Sequence, residues 1–338
     1  MRYKKILILL IAAVGILMSQ TFNFVQADEM PYGVEAILPE NQIDKNVSYF
    51  DLKVEPNASF DLNIKITNSK DKDIKVRVNA TDAYTNNNGV IDYSGELEQS
   101  LSQSKKNPYL TELLDKEKQI IDVPAKQSKI VSFHGKMDKK TFKGNILGGI
   151  YIQEEVSSPS KSKDMIQNEF AYAIAVKLTE NLNLPKFQPT LNSVKLGVRN
   201  YHQAILAEIE NQAPVLFSKF TAVSKIYKEG ETTPVLEKTS SNLGMAPYSK
   251  FEYGIDLDGK ALSSGKYTYD LTIKKDDEKF SLKKSFEIKE KDLEITQKNS
   301  VDSNEVNNNF NYIYILLVLV FFVILIWIIY YKNKNSKK

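Results

Sequence analysis

The sequence predicts an all-β protein made of two tandem Ig-like β-sandwiches, the first with a helical insertion, followed by one C-terminal transmembrane helix. Three observations support this fold class. Apolar and polar residues alternate through most of residues 33–290, which is typical of half-buried strands. Two prolines divide this alternating region into two parts. An uncharged apolar segment lies close to the C-terminus and is long enough to cross a bilayer.

The composition excludes several kinds of site. The chain has no cysteine and two histidines, His134 and His202, which rules out disulfides, thiolate nucleophiles, iron–sulfur clusters and most zinc sites. The first 27 and last 27 residues contain seven basic residues and no acidic ones, so residues 28–311 have 38 basic and 42 acidic residues. Because this body is weakly acidic, binding of nucleic acid is not expected. No cofactor is expected either.

Residues 1–27 are predicted to be a secretory signal peptide. Three basic residues precede the apolar run 6–18, and Val25 and Ala27 supply small side chains for cleavage before Asp28. The alternative is a first membrane helix. It is disfavoured because 13 apolar residues are too few to cross a bilayer.

Residues 312–331 are predicted to form the transmembrane helix. These 20 residues carry no charge and span about 30 Å as a helix. The lysine-rich tail 332–338 is predicted to be cytoplasmic by the positive-inside rule, which places the body outside the cell membrane. The polar residues 294–311 are predicted to be a flexible stalk. The predicted membrane-interface anchors are Tyr312, Tyr314, Trp327, Tyr330, Tyr331, Lys332 and Lys334.

The body is predicted to contain two domains, 28–184 and 185–293. Pro185 and Pro189 mark the boundary because proline interrupts strand pairing. The pair Asn88-Gly89 predicts a hairpin turn because both residues tolerate a positive φ. The predicted strands cover residues 47–54, 60–66, 74–78, 128–137, 146–155, 170–180, 192–199, 203–210, 215–227, 250–257, 266–274 and 280–288.

Residues 96–119 break the alternation and are predicted to be the helical insertion. Five leucines recur there at helical spacing on either side of a proline. We expect the leucines to pack on the first sandwich and four lysines to face solvent; alternatively, the segment only covers an exposed sheet edge. The leucines are Leu97, Leu101, Leu110, Leu113 and Leu114, and the lysines are Lys105, Lys106, Lys116 and Lys118.

The two halves of the body show the same spacing of features. A Ser-Lys pair begins a predicted strand at 128 and again at 249, and a glycine follows the serine by 16 residues in both halves. Upstream, a predicted strand ends near Asn68 in the first half and near Asn211 in the second. The sequence therefore predicts two related sandwiches. The alternative is coincidence, since alternating strands align easily.

No catalytic or metal site is predicted. No serine lies in a Gly-x-Ser-x-Gly setting. Residues 256–259 (DLDG) resemble part of a calcium loop, but Gly254 and Gly265 occupy the positions of its first and last ligands. The neighbours Glu154 and Glu155 would face opposite sides of a strand, whereas a glycosidase needs two carboxyls that converge across a cleft.

Four segments in the first half resemble one known family. They are residues 39–42 (PENQ), 49–52 (YFDL), 78–89 (VNATDAYTNNNG) and 144–150 (GNILGGI). Together with the signal peptide, the second β-module, the single span and the lysine tail, they resemble the WxL-interacting protein family of Gram-positive cell surfaces. The sequence departs from the family pattern at Asn57, which follows Pro56 where the family pattern is expected to have Pro-Gly. Asparagine can still adopt the left-handed conformation that this turn needs.

The resemblance implies that the first domain binds peptidoglycan. It also implies that the second domain binds host extracellular proteins or partner proteins, among them secreted WxL-domain proteins. The resemblance transfers no individual site residue, so the candidate ligand-binding residues are chosen by position. They are Asn41, Gln42, Tyr49, Phe50, Thr85, Asn86, Asn87 and Asn88.

These observations favour a membrane-anchored, non-catalytic binding protein displayed toward the cell wall. We expect residues 28–184 to bind wall polymer and residues 185–293 to bind partner proteins. One alternative is a surface assembly factor or chaperone that completes a partner's sheet by β-strand addition. Another is a wall-active hydrolase.

Overall fold

The computed structural model describes residues 32–95, 102, 105–155 and 170–301, and it contains two β-sandwiches. The predicted signal peptide, transmembrane helix, membrane-interface anchors and tail all lie outside these residues. Within them, no helix has the length and apolar character needed to cross a bilayer. Each of the predicted strands is present, with ends that differ by a few residues.

The strands of the first sandwich are β1 (Tyr32–Ile37), β2 (Phe50–Lys53), β3 (Ser59–Asn68), β4 (Ile74–Asp82), β7 (Lys118–Val123), β8 (Ser128–Lys136), β9 (Asn145–Glu154) and β10 (Ala171–Thr179). They form a three-stranded antiparallel sheet of order β1-β3-β8 and a five-stranded sheet of order β2-β10-β9-β4-β7. In the second sheet β2 lies parallel to β10, and the other neighbours are antiparallel. Alternate side chains of each strand point into a core between the sheets.

A short hairpin, β5 (Tyr84–Thr85) and β6 (Ile91–Asp92), projects from the end of β4. The strands of the second sandwich are β11 (Pro189–Arg199), β12 (His202–Asn211), β13 (Phe217–Lys228), β14 (Leu236–Met245), β15 (Lys250–Asp256), β16 (Gly265–Lys275) and β17 (Glu278–Ile288). Its sheets have the orders β11-β12-β15 and β14-β13-β16-β17, and they enclose a separate core.

The two sandwiches share one topology. The order β11-β12-β15 repeats β1-β3-β8, and β14-β13-β16-β17 repeats β7-β4-β9-β10 strand for strand. Asn68 and Asn211 end the equivalent strands β3 and β12, and both are buried. In each, the side-chain amide donates to the carbonyl four residues later at 2.8 Å, and the side-chain oxygen accepts from the N–H two residues later. These shared features support the predicted relation between the halves.

The described part of the predicted insertion is mostly not helical. It forms one turn, α1 (Leu110–Leu113), whose leucines pack on β4 and β9 as expected. The prediction of a helix through residue 119 is wrong, because β7 begins at Lys118. In β7, Ile121 and Val123 alternate with outward side chains and the strand pairs with β4. Of the four lysines expected to face solvent, Lys105 is half-buried and the others are exposed.

The first residues of the predicted stalk are part of the folded body, and residues 302–311 lie outside the described residues. The helix α2 (Glu290–Asn299) packs on β11 and extends through the first residues of the segment 294–311. Gln203 Nε2 donates to Thr296 Oγ1 at 2.8 Å, and the Val301 N–H donates to the Tyr201 carbonyl at 2.7 Å. Residues 294–301 therefore belong to the folded body.

Lys105 lies beside the ring of Tyr109 and near Asp82, where the insertion meets the first sandwich. Burial lowers the pKa of Lys105 from its ordinary value of 10.5 to about 8. Burial also raises the pKa of Asp82, although Thr111 donates two hydrogen bonds to this carboxyl. The charged form of Lys105 is therefore disfavoured in the folded protein.

We predict that this lysine makes stability depend on pH in the alkaline range. Below about pH 8 the folded protein carries a buried ammonium charge on Lys105, which lowers the free energy of unfolding. As pH rises from 8 to 10.5, Lys105 is neutral in the folded protein but still charged in the unfolded chain, so the destabilisation is progressively lost. The free energy of unfolding, relative to the variant Lys105→Met, should therefore increase between pH 8 and pH 10. Denaturant titrations of both proteins across this range measure the difference. A difference that stays constant with pH would contradict the prediction.

Candidate functional site

A groove of about 520 Å³ lies along one side of the first sandwich, between β1 and β10. Three tyrosines line it: Tyr49 from the segment before β2, Tyr93 after β6, and Tyr172 on β10. The remaining lining is mostly aliphatic, and Glu35 is the one charged residue among the lining residues. Aromatic faces next to hydroxyl groups suit ligands that are partly apolar and partly hydrogen-bonding.

Contacts with neighbouring strands hold two of the tyrosine rings in place. The Tyr172 hydroxyl donates to the Tyr32 carbonyl at 2.8 Å, and the two rings meet edge to face with centroids 5.2 Å apart. The Tyr32 hydroxyl in turn donates to the Ile152 carbonyl at 3.1 Å. Burial, together with a smaller contribution from the nearby Tyr49, raises the pKa of Tyr93 to about 12. The groove is thus preformed and uncharged over most of its surface.

The predicted residues Asn41, Gln42, Tyr49 and Phe50 have different environments. Tyr49 lines the groove, whereas Phe50 is fully buried in the core. Gln42 is buried and holds the loop that carries Tyr49: its Nε2 donates to the Tyr49 carbonyl at 2.9 Å and its Oε1 accepts from the Asp51 N–H. Asn41 is exposed and donates to a backbone carbonyl of β2. Their assignment to ligand binding stays a prediction.

A hairpin turn is present at the predicted tip of Thr85, Asn86, Asn87 and Asn88, but of the pair Asn88-Gly89 only Gly89 has a positive φ, +70°. Asn86 closes this turn, since its Oδ1 accepts from the N–H groups of residues 88 and 90. The other three residues contact the second domain, and this placement makes the tip part of the interface between the domains. Whether these residues also bind a ligand stays a prediction.

The side chains of Thr85, Asn87 and Asn88 each form a hydrogen bond across the interface between the domains. Thr85 Oγ1 accepts from the Ala246 N–H at 2.9 Å and shares a 2.5 Å hydrogen bond with Ser249. Asn87 Oδ1 accepts from the Glu252 N–H at 3.1 Å. Asn88 Oδ1 accepts from Arg199 at 2.7 Å.

A second set of contacts lies beside the hairpin. The Asn145 N–H donates to the Pro214 carbonyl at 2.7 Å, and Asn145 Oδ1 accepts from the Leu216 N–H. Ser102 donates to Glu210. A small apolar cluster of Ala83, Leu147 and Ala246 fills the space between the domains. These contacts hold the sandwiches in one arrangement.

Sequence reasoning missed Tyr93 and Tyr172 as members of the groove. Both lie far along the chain from Tyr49, and nothing in their local pattern marks them. The lining residues include one carboxyl, that of Glu35, whereas a glycosidase needs two carboxyls that converge across a cleft. Among the described residues there is also no cluster of three histidine or acidic side chains that could hold a metal ion.

Several solved structures resemble the chain at low similarity. The class 5 fimbriae chaperone CfaA is 12% identical, with a TM-score of 0.29, over 74% of this chain and 97% of that chain. The Pseudomonas aeruginosa CupB2 chaperone is 10% identical, with a TM-score of 0.27, over 67% and 92%. The E. coli chaperone DraB is 13% identical, with a TM-score of 0.26, over 76% and 95%. Similarity this distant says nothing about function.

No curated protein matches the sequence significantly. Two family models do match, and together they span most of the chain. Residues 32–154 match the peptidoglycan binding domain of the WxL Interacting Protein, and residues 161–298 match its host binding domain. The second match begins ahead of β10, which pairs with β9 in the first sandwich. The chain therefore belongs to the WxL-interacting protein family, as its sequence motifs predicted.

Proposed function

We propose that the protein is a non-catalytic binding protein that attaches to peptidoglycan through the groove of its first domain. Its second domain binds WxL-domain proteins or host proteins. The observation that carries the proposal is a preformed groove lined by three tyrosines, built mainly from residues within the match to a peptidoglycan binding domain. The family models describe binding domains, which favours a protein without enzymatic activity.

The groove suits a wall polymer for two physical reasons. Sugar rings and short peptides both present apolar faces beside hydrogen-bonding groups, and tyrosine offers a flat apolar face with a polar tip. Because Tyr172 is already hydrogen-bonded and Tyr93 is half-buried, binding would cost little side-chain entropy.

The sequence features at the ends of the chain supply the proposed location. Residues 1–27 would direct the chain out of the cell, residues 312–331 would anchor it in the cell membrane, and the tail 332–338 would remain cytoplasmic. The body, with proposed domains 28–184 and 185–293, then faces the wall. Since many hydrogen bonds join the domains, the second would present its partner-binding surface at a fixed angle to the first.

We predict that Tyr49→Ala weakens binding to peptidoglycan about tenfold, because one aromatic contact contributes up to about 1.5 kcal/mol. The measurement is co-sedimentation of full-length protein in mild detergent with purified, insoluble peptidoglycan across a range of polymer concentrations. Tyr201→Ala is the matched control, since Tyr201 is a tyrosine of the second domain that is 74% exposed. It should bind as the native protein does.

Two results would count against the proposal. If the native protein fails to sediment with peptidoglycan, the proposed function is wrong. If the native protein and Tyr49→Ala bind equally, the binding site lies elsewhere on the protein.

A further inference from the structure

The groove separates two strand edges whose backbone groups face each other. On β10, the Thr179 carbonyl accepts from the Val54 N–H, so the backbone groups of Thr179 face β2. Because backbone direction alternates along a strand, the N–H and C=O groups of Lys177, Ala175 and Ala173 face the same side. β2 pairs with β10 only from Val176 to Thr179. The N–H and C=O groups of Ala173 and the N–H of Ala175 therefore face the groove, and no described strand pairs with these three groups. The Ala175 carbonyl is used at the end of the ladder with β2, where the register with Phe50 begins.

The opposite side of the groove has the same character. β1 pairs with β3 on one side, and its other side faces β10. Since the Tyr32 carbonyl accepts from Tyr172, the backbone groups of Val34 and Ala36 also point into the groove. Unpaired backbone edges readily accept another strand. Both sides of the groove therefore offer hydrogen-bonding groups to an extended chain.

The second sandwich shows what the closed arrangement looks like. There β11 and β17, the equivalents of β1 and β10, lie side by side. In the first sandwich, Cα atoms of β1 and β10 lie more than 8 Å apart for nearly all residue pairs. Paired strands are about 4.8 Å apart, so β1 and β10 do not pair with each other, and the groove of about 520 Å³ lies between them. The loop before β2 carries Tyr49 at the groove and is held by Gln42, whose Nε2 donates to the carbonyls of Asp44 and Tyr49.

We propose that this groove binds the peptide part of peptidoglycan as an added, extended chain; this inference rests on the proposed function. The ligand's backbone would bond to both backbone groups of Ala173 and to the N–H of Ala175 on one side, and to Val34 and Ala36 on the other. The alanines leave room for small side chains such as those of wall peptides. Glu35, whose carboxylate lies 3.8 Å from Lys65 Nζ, would offer a negative charge to a free amine of those peptides, and Tyr49 would contact the adjoining sugar.

The test uses full-length protein and three probes: intact peptidoglycan, glycan strands stripped of peptide by an amidase, and the released peptides as competitors. The native protein should sediment with intact peptidoglycan, bind stripped glycan about tenfold more weakly, and be displaced by the released peptides. A synthetic wall peptide with N-methylated amides should not displace it, because that peptide cannot donate backbone hydrogen bonds.

The variant is Ala173→Pro, and Tyr201→Ala in the second domain is its control. Proline removes an N–H that faces the groove and leaves the ladder with β9 intact. Binding to intact peptidoglycan should fall about tenfold for Ala173→Pro and remain unchanged for Tyr201→Ala. If circular dichroism shows that Ala173→Pro does not fold, competition by the N-methylated peptide tests strand addition instead.

The outcomes separate this inference from the proposed function. Equal binding of stripped and intact polymer would overturn the peptide inference and leave peptidoglycan binding in place, with the glycan as ligand. Displacement by the N-methylated peptide would overturn strand addition. Absence of binding to every form of the polymer would overturn the proposed function itself.

Discussion

Gly144→Ala is expected to lower the free energy of unfolding by about 3 kcal/mol and to loosen the contact between the two domains. Gly144 has φ +76°, a conformation that costs alanine about 1–2 kcal/mol. In addition, a Cβ at this position would lie 1.8 Å from the Pro214 carbonyl oxygen of the second domain. Backbone atoms must therefore move, and the neighbouring hydrogen bond between Asn145 and Leu216 would be strained or lost.

Gly259→Ala is the matched control for this prediction. Gly259 has φ +77°, but a Cβ added there would meet no atom within 4 Å beyond its chain neighbours. The control should therefore lose only the conformational part, about 1–2 kcal/mol. Denaturant titration gives both values, and the distance between spin labels reports on domain separation. Labels can be attached to one introduced cysteine in each domain because the chain has no cysteine of its own. Equal effects of the two substitutions would contradict the prediction.

Asn68→Ala and Asn211→Ala are each expected to destabilise the protein by about 2–4 kcal/mol. Each side chain is buried and donates to two or more backbone carbonyls, which would lose their partner in a region closed to water. The control Asn181→Ala removes a similar hydrogen bond to the N–H two residues later, but at an exposed site. Its effect should be below about 0.5 kcal/mol.

The two asparagines should differ in their effect on the interface. Asn211 Nδ2 donates to the Ala246 carbonyl, and the Ala246 N–H donates to Thr85 of the first domain. Asn211→Ala is therefore expected to loosen the domain contact as well, whereas Asn68→Ala is not. The same pair of spin labels distinguishes the two variants. A domain distance that stays unchanged in Asn211→Ala would show that Ala246 is held by its other contacts.

The strands that the sequence did not predict are edge strands. β14 lies at the edge of its sheet, contains the polar run 238–242 (KTSSN), and has irregular pairing with β13. Because β14 has one neighbouring strand and several of its side chains are exposed, alternating apolar residues are not required for it to pair. β7 is also an edge strand, and its first residues continue a segment whose leucines have helical spacing. In both cases pairing with a distant strand, rather than local pattern, determines the conformation.

For this chain, the sequence by itself determined the β-class, the repeated topology, the family and the Asn-Gly turn, because each depends on alternation, spacing or local conformation. Tertiary structure decided what the predicted site residues contact. It placed Phe50 in the core, brought Tyr93 and Tyr172 beside Tyr49, and packed the hairpin tip against the second domain. These outcomes depend on contacts between residues far apart in the chain, which no local pattern of side chains specifies.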